Sequence, residues 1–91
     1  MYQIIFTNQF KKHYKLCENR RYDIELLDHL LIKLAENGTL PSKYIPHVLK
    51  GNLSGYWEAH IKPDWLLIWE KDSKEKTITL YGTGTHSDLF K

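Results

Sequence analysis

The sequence has little of what several classes of protein depend on. Cys17 is its single cysteine, which excludes an internal disulfide and a zinc site built from cysteines. It has no apolar run long enough to span a membrane, and no apolar segment near Met1 leads to a small-residue cleavage site. We therefore expect a soluble, cytoplasmic protein without a membrane partner.

The net charge is also only a weak indication of what the protein binds. The 91 residues carry a formal net charge of +2, a mild bias toward anionic partners. The bias is concentrated in residues 1–20, which contain four basic residues and one acidic residue, Glu18. These basic residues form either a solvated helix face or a surface that binds phosphates. A chain of this length is expected to form one domain, over residues 1–91, with a small core.

Hydrophobic periodicity predicts the element order β-α-α-β-β-β. Residues 2–6 are typical of a strand, and residues 9–19 and 22–37 of two helices that form an antiparallel hairpin. After a loop that contains two prolines, residues 56–61, 65–70 and 76–81 predict consecutive antiparallel strands, and residues 86–90 a helical turn. We expect an α+β fold: a small, mostly antiparallel sheet of about four strands, with the helical hairpin packed on one face.

Three histidines and an aspartate fall in predicted loops or at strand ends, where a rigid sheet can present them. His60 ends one strand, Asp64 lies in the turn that follows, and His86 comes after the last strand. Antiparallel pairing brings these three to one end of the sheet. His47 lies in the preceding loop and reaches them only if that loop folds over.

Three interpretations compete for this set. A metal site is one, but no two of these histidines have the spacing of a ligand pair on a helix, so we expect no metal and no cofactor. A structural or partner-binding surface with scattered histidines is the second. The third is metal-free acid–base chemistry on RNA, with Trp65 and Phe90 as exposed platforms for bases. Packing in the core or at its rim is the alternative for both rings.

Two segments of the chain resemble the YafQ branch of the RelE superfamily of bacterial toxins: residues 60–68 (HIKPDWLLI) and 83–90 (TGTHSDLF). Residues 10–12, 47–51 and 55–56 fit the same pattern, so the resemblance covers nearly the whole chain. It implies a RelE-like fold and a toxin that cleaves mRNA on the translating ribosome, through the 2′-hydroxyl and in contact with ribosomal RNA. A cognate antitoxin silences such a toxin, and their complex binds operator DNA through the antitoxin.

The resemblance also implies roles for individual residues. The catalytic set is His47, His60, Asp64 and His86, and Trp65 and Phe90 help to shape the substrate site. Gly82 departs from the pattern, because relatives carry an arginine there, directly before Thr-Gly-Thr-His.

Another group must then supply positive charge to the phosphate. Lys50 and Lys62 are candidates, as is a charged His47 or His86. We favour Lys50 and expect Gly82→Arg to rescue its loss in part. A non-cutting toxin of the same fold, such as a gyrase-binding one, is the alternative function.

Overall fold

The computed structural model describes residues 1–90. Within them lie five strands: β1 (Gln3–Phe6), β2 (His47–Val48), β3 (Tyr56–Lys62), β4 (Trp65–Asp72) and β5 (Thr77–Gly84). The helices are α1 (Asn8–Asn19), α2 (Ile24–Asn37) and α3 (His86–Leu89), and short 3-10 turns cover Ser42–Tyr44 and Gly51–Leu53. No helix in this part of the chain is both long and apolar enough to cross a bilayer.

The strands form one sheet in the order β1-β5-β4-β3-β2, with β1 parallel to β5 and every other pair antiparallel. The expected α+β class is therefore confirmed, with one strand more than expected. The additional strand is β2, which was expected to be loop. It is two residues long and follows Pro46, so only its pairing with β3, in the register His47↔Glu58, makes it a strand.

The two long helices begin and end on the signals that the sequence carries. The Thr7 hydroxyl accepts from the N–H of Phe10 (3.1 Å) at the start of α1, and donates to the Leu80 carbonyl (2.7 Å), which ties α1 to β5. Asp23 caps α2, and Gly38, with a φ of 73°, ends it. Both predicted helices are thus confirmed, and the Tyr14 hydroxyl of α1 donates to Asp28 of α2 at 2.7 Å, which joins the two helices in a hairpin.

The core lies between this hairpin and one face of the sheet. The sheet contributes alternate residues of β3 and β4, among them Ala59, Ile61, Leu67 and Trp69, all buried. The helices contribute Phe10, Cys17, Leu27, Leu30, Leu31 and Leu34. Burial raises the pKa of the Cys17 thiol to about 11, so this cysteine is an inert core residue.

The end of β5 differs from expectation. We expected the strand to stop at Tyr81 and Gly82 to begin a break, but β5 continues to Gly84, with Gly82 paired to Ile68. At Gly84 φ is 148°, and an added Cβ would lie 2.5 Å from an oxygen of Asp88. Gly82 therefore lies inside the strand, and Gly84 ends it at a point where the Asp88 side chain comes close to the backbone.

Candidate active site

The sheet face opposite the helical hairpin carries two of the predicted catalytic residues. His47 pairs with Glu58 across β2 and β3, and His60 follows Glu58 by two residues on β3. Since alternate residues of a strand share a face, these three side chains lie on one surface, while Ala59 points toward the helices. The pairing of β2 is what brings His47 to the other residues.

Glu58 lies close to both histidines, and it was not predicted from the sequence. The residue is 6% exposed, and its Oε1 lies 3.2 Å from Nε2 of His47 and 3.7 Å from Nε2 of His60. A buried carboxylate needs polar partners, because its desolvation is costly. The available signal was an acidic residue between the apolar residues Trp57 and Ala59, two positions before His60 and so on the same face.

The His47 ring is held at both of its nitrogens. Nδ1 lies 2.7 Å from the carbonyl oxygen of Ile45, and Nε2 faces Glu58. Ile45 adopts a left-handed backbone with a φ of 53°, which is disfavoured for a β-branched residue. Strained backbone of this kind is concentrated at functional sites, and here it lies beside a predicted catalytic residue.

Asp64 and His86 form a second carboxylate–histidine pair. Asp64 Oδ1 lies 2.9 Å from Nδ1 of His86 and also accepts from the His86 backbone N–H at 3.3 Å. The hydrogen bond from the His86 side chain, followed by the one from its backbone, lowers the pKa of Asp64. Both side chains are exposed, so the pair is open to a large substrate.

The rings of the site form a row. The centroids of His47 and His60 are 6.1 Å apart at an interplanar angle of 20°, those of His60 and His86 are 6.4 Å apart, and those of His86 and Phe90 are 6.1 Å apart. The structure therefore brings together all four residues of the predicted set, with Asp64 attached to His86. Phe90, which is 43% exposed, stands at the end of the row, where a base can stack on it.

The expectation that Trp65 is exposed is wrong. Its side chain is 4% exposed and packs edge-on against Tyr22, with ring centroids 4.9 Å apart. Its indole N–H donates to the Thr83 hydroxyl at 2.9 Å. The ring lies on the helix side of the sheet because Trp65 shares a face of β4 with Leu67 and Trp69, which pack in the core with the helices. Trp65 can support the site from beneath but offers no face for stacking.

The two candidate lysines lie at different places. Lys62 ends β3 and borders an open cleft of about 500 Å³ that also includes His60, Lys43 and Tyr44. The last two were not singled out from the sequence, since they belong to a loop without a periodic pattern. Lys50 is exposed and directly precedes the 3-10 turn at Gly51–Leu53.

Gly82 faces a side chain from α1. A Cβ added at Gly82 would lie 2.6 Å from Nδ1 of His13 and 3.0 Å from a methyl carbon of Leu89. His13 Nδ1 also accepts from the backbone N–H of Thr83 at 3.3 Å, and burial lowers the pKa of His13. The space above residue 82 is thus already filled by other side chains, so an arginine at this position would clash with them, contrary to our expectation.

The arrangement suits proton transfer. Imidazoles give and take protons near neutral pH, and the carboxylates of Glu58 and Asp64 orient two of them. Within residues 1–90, no three histidine, cysteine or acidic side chains are grouped so that they could hold a metal ion. Lys43 and Lys62 border the open cleft beside His60 and add positive charge there. Exposed rings next to positive charge are the features by which proteins recognise single-stranded RNA.

Comparison with known proteins identifies relatives over the whole chain. Residues 2–91 match the family described as bacterial toxin of type II toxin–antitoxin system, YafQ. The mRNA interferase toxin YafQ of Escherichia coli K12 is 38% identical over 88 residues, which cover 96% of this chain and 94% of that protein.

Solved structures of similar toxins match the fold of this chain. The E. coli DinJ–YafQ complex contains a chain that is similar with a TM-score of 0.88 and 36% identity, and each chain is covered completely. A metal-bound toxin from Helicobacter pylori is similar with a TM-score of 0.88 and 37% identity, over 99% of this chain and 100% of that one.

Proposed function

This chain belongs to the YafQ family of bacterial toxins of type II toxin–antitoxin systems, and from that premise we propose that it is an endoribonuclease that cleaves mRNA. The observation that carries the proposal is the row of three imidazoles, those of His47 and His60 on the sheet and that of His86 at the start of α3, two of them oriented by carboxylates. Cleavage of RNA through its own 2′-hydroxyl needs a proton acceptor and a proton donor near one phosphate, and such rings supply both.

We assign the role of base to His86. Asp64 accepts a hydrogen bond from Nδ1 of His86, which leaves Nε2 as the free nitrogen. Nε2 takes the proton of the 2′-hydroxyl, whose oxygen then attacks the phosphorus, and Asp64 stabilises the imidazolium that forms. His60 gives a proton to the leaving 5′-oxygen. The products are a 2′,3′-cyclic phosphate and a 5′-hydroxyl.

The geometry supports this division of roles. The His60 and His86 rings are 6.4 Å apart, and hydrogen bonds of about 3 Å from each allow both to reach oxygens of one phosphate. The nearest carboxylate oxygen to His60 Nε2, on Glu58, lies at 3.7 Å, which is too long for a good hydrogen bond. His60 is therefore available to the substrate.

The phosphorane also needs positive charge, and we propose that Lys50 supplies it. Lys50 follows His47 by three residues and is exposed, so its flexible side chain can swing toward the same phosphate. A charged His47 is the second candidate. Its nitrogens both face acceptors, Ile45 carbonyl and Glu58, and a doubly protonated ring would donate to both.

We propose that the ribosome presents the mRNA, with ribosomal RNA as part of the contact surface. The site is shallow, since the side chains of His86 and Asp64 are 57% and 68% exposed, and it encloses little of a nucleotide by itself. A larger assembly that holds the mRNA would supply the missing orientation. We infer a cytoplasmic location, because translating ribosomes are there.

An antitoxin is the second proposed partner. The E. coli relative forms a complex with DinJ, and we propose an antitoxin for this chain that binds DNA on behalf of the pair. The exposed basic side of α1, which carries Lys11, Lys12 and Lys15, adjoins an apolar cleft of about 450 Å³. An acidic, amphipathic segment of the antitoxin would complement both the basic side of α1 and the apolar cleft. Reversal of these lysines to Glu should slow association most at low salt, whereas Lys74→Glu should not.

The test of the enzymatic function is induction of the chain in bacteria, followed by mapping of mRNA 5′ ends. We expect new ends within translated frames. Alanine at His60, Asp64 or His86 should each lower cleavage by roughly 10²-fold or more while the protein stays folded, the scale of a lost acid–base group. Growth arrest without new mRNA ends, and unchanged by these substitutions, would indicate a non-cutting toxin instead.

A further inference from the structure

Helix α3 is too short to hold its own shape. It spans His86–Leu89, a single turn, and isolated helices of this length are unstable in water because nucleation is unfavourable. Yet it begins with His86 and is followed directly by Phe90, two members of the row of rings. Its orientation must therefore be fixed by contacts outside the turn.

The strongest such contact comes from the end of α1. Arg20 makes two hydrogen bonds to Asp88, from Nη1 to Oδ2 at 2.6 Å and from Nη2 to Oδ1 at 3.1 Å. A two-pronged pair of a guanidinium and a carboxylate fixes angle as well as distance. Arg20 caps α1, whose core residues Phe10 and Cys17 are fully buried, so the pair connects α3 to a rigid element.

Asp88 links this pair to the start of α3. Its Oδ2 also accepts from the N–H of Thr85 at 2.8 Å, and the Thr85 hydroxyl accepts from the N–H of Asp88 at 3.1 Å. This reciprocal arrangement is a capping box, and it sets the direction in which the helix leaves β5. His86 is the residue that follows Thr85, so its backbone position depends directly on the cap.

The Asp88 carboxylate lies close to the backbone of β5 at Gly84. Its side chain is 15% exposed, and it occupies space that a Cβ at Gly84 would take, 2.5 Å away. Arg20 holds the pKa of this carboxyl well below its usual range. Surface ion pairs are often worth little, but this one is partly buried, two-pronged and shared with a helix cap.

We propose that the Arg20–Asp88 pair positions His86 for catalysis, by fixing the turn that carries His86 against Asp64. Arg20 and Asp88 are positioning residues and need not touch the RNA. The inference rests on the proposed ribonuclease function for its activity measurements, and on the His86–Asp64 hydrogen bond for a measurement that needs no activity.

The variants are Arg20→Ala, Arg20→Lys, Asp88→Asn and the double variant Arg20→Ala with Asp88→Asn. Lysine keeps the charge without the planar fork, and asparagine keeps an oxygen for the cap. Lys33→Ala is the matched control, because it removes a surface cation that lies 3.9 Å from a carboxylate of Glu36, away from the site.

The first measurement is cleavage of RNA by purified protein on ribosomes. We expect Arg20→Ala to lower kcat by about 10- to 100-fold with little change in KM, the scale of a misplaced catalytic group. Arg20→Lys should lose less. The double variant should be no slower than the worse single variant, because both remove one interaction. Lys33→Ala should match the unmodified protein.

The second measurement is nitrogen NMR of the His86 ring. In the unmodified protein the ring should show one tautomer with its Nδ1 proton directed to Asp64, and Arg20→Ala and Asp88→Asn should show an averaged ring. Folded variants with unmodified kcat and an unchanged His86 signal would overturn the proposal. So would equal losses in kcat and thermal stability with that signal unchanged. If the unmodified protein does not cleave RNA, the proposed function fails, and the NMR comparison still decides the positioning role.

Discussion

Glu58 lies beneath His47, with 3.2 Å between its Oε1 and the imidazole Nε2, although the carboxylate is almost completely buried. Buried acids are retained where a partner compensates their desolvation, and here the partner belongs to the candidate site. The pair joins β2 to β3, in which His47 is paired with Glu58 and Val48 with Trp57. Glu58 thus serves both the sheet and the site.

Glu58→Gln should lower RNA cleavage by about tenfold or more while the fold is kept. The amide has the same shape but no charge, so it orients His47 less firmly and cannot balance a charged ring. Cleavage of RNA by purified protein on ribosomes measures the effect. Glu70→Gln is the control, since Glu70 is exposed on β4 and has no histidine partner within residues 1–90. Equal rates for the two variants would contradict a role for Glu58 in the site.

The His86–Asp64 hydrogen bond should persist into acid. Because that bond lowers the pKa of Asp64 below its ordinary value of 3.8, its contribution is complete above pH 3.8 and is lost as the pH falls through the lower, folded-state value. Carbon NMR of the Asp64 carboxyl gives the midpoint directly. We expect a midpoint below 3.8 in the unmodified protein and a rise toward 3.8 in His86→Ala. A midpoint unchanged by the substitution would refute the contact in solution.

Removal of metals should leave cleavage intact. The proposed chemistry uses imidazoles for both proton transfers, and the ligand spacing of a helical metal site is missing from the sequence. Dialysis against a chelator, followed by a cleavage assay in magnesium-balanced ribosome buffer, tests this. A metal-bound toxin of H. pylori with a similar structure makes the experiment worthwhile. Activity that is lost on dialysis and returns with zinc or copper alone would establish a metal requirement.

Lys50→Ala should reduce the cleavage rate by about 10²–10³-fold, the scale of losing a group that stabilises transition-state charge. Binding of RNA should weaken much less, because one lysine contributes little to a polyanion interface. Single-turnover kinetics separate the two effects. Lys74→Ala, in the loop between β4 and β5, is the matched control. A rate near that of the unmodified protein would transfer the role to a charged His47.

Much of this fold follows from local signals. The apolar stripe of α2, with Leu27, Leu31 and Leu34, predicts the helix and its buried face, and Thr7 and Gly38 mark helix ends correctly. Antiparallel neighbours also fix which strand ends meet, so the proximity of Asp64 and His86 could be predicted from the strand order alone.

What the sequence did not reveal depends on contacts between distant segments. The strand β2 exists only through its pairing with β3, and the burial of Trp65 depends on the helices that cover β4. Likewise, His13 and Gly82 are in contact although they are 69 positions apart in the chain, and no local sequence pattern predicts this contact. Such long-range contacts determine where side chains lie in the site, whereas hydrophobic periodicity predicts only the helices and strands.

The contact between His13 and residue 82 yields the last prediction, which revises our expectation of rescue by arginine. Gly82→Arg should lower the free energy of unfolding by about 1–3 kcal/mol, the usual cost of overpacking, because its Cβ would lie 2.6 Å from His13 Nδ1. His13→Ala should relieve that strain, so the double variant should recover much of the loss in urea denaturation. Gly82→Arg with His29→Ala is the control, since His29 is an exposed histidine on α2. Recovery in both double variants, or in neither, would show that His13 is not the obstacle. Only in the His13→Ala background can an arginine at position 82 be tested fairly for rescue of Lys50→Ala.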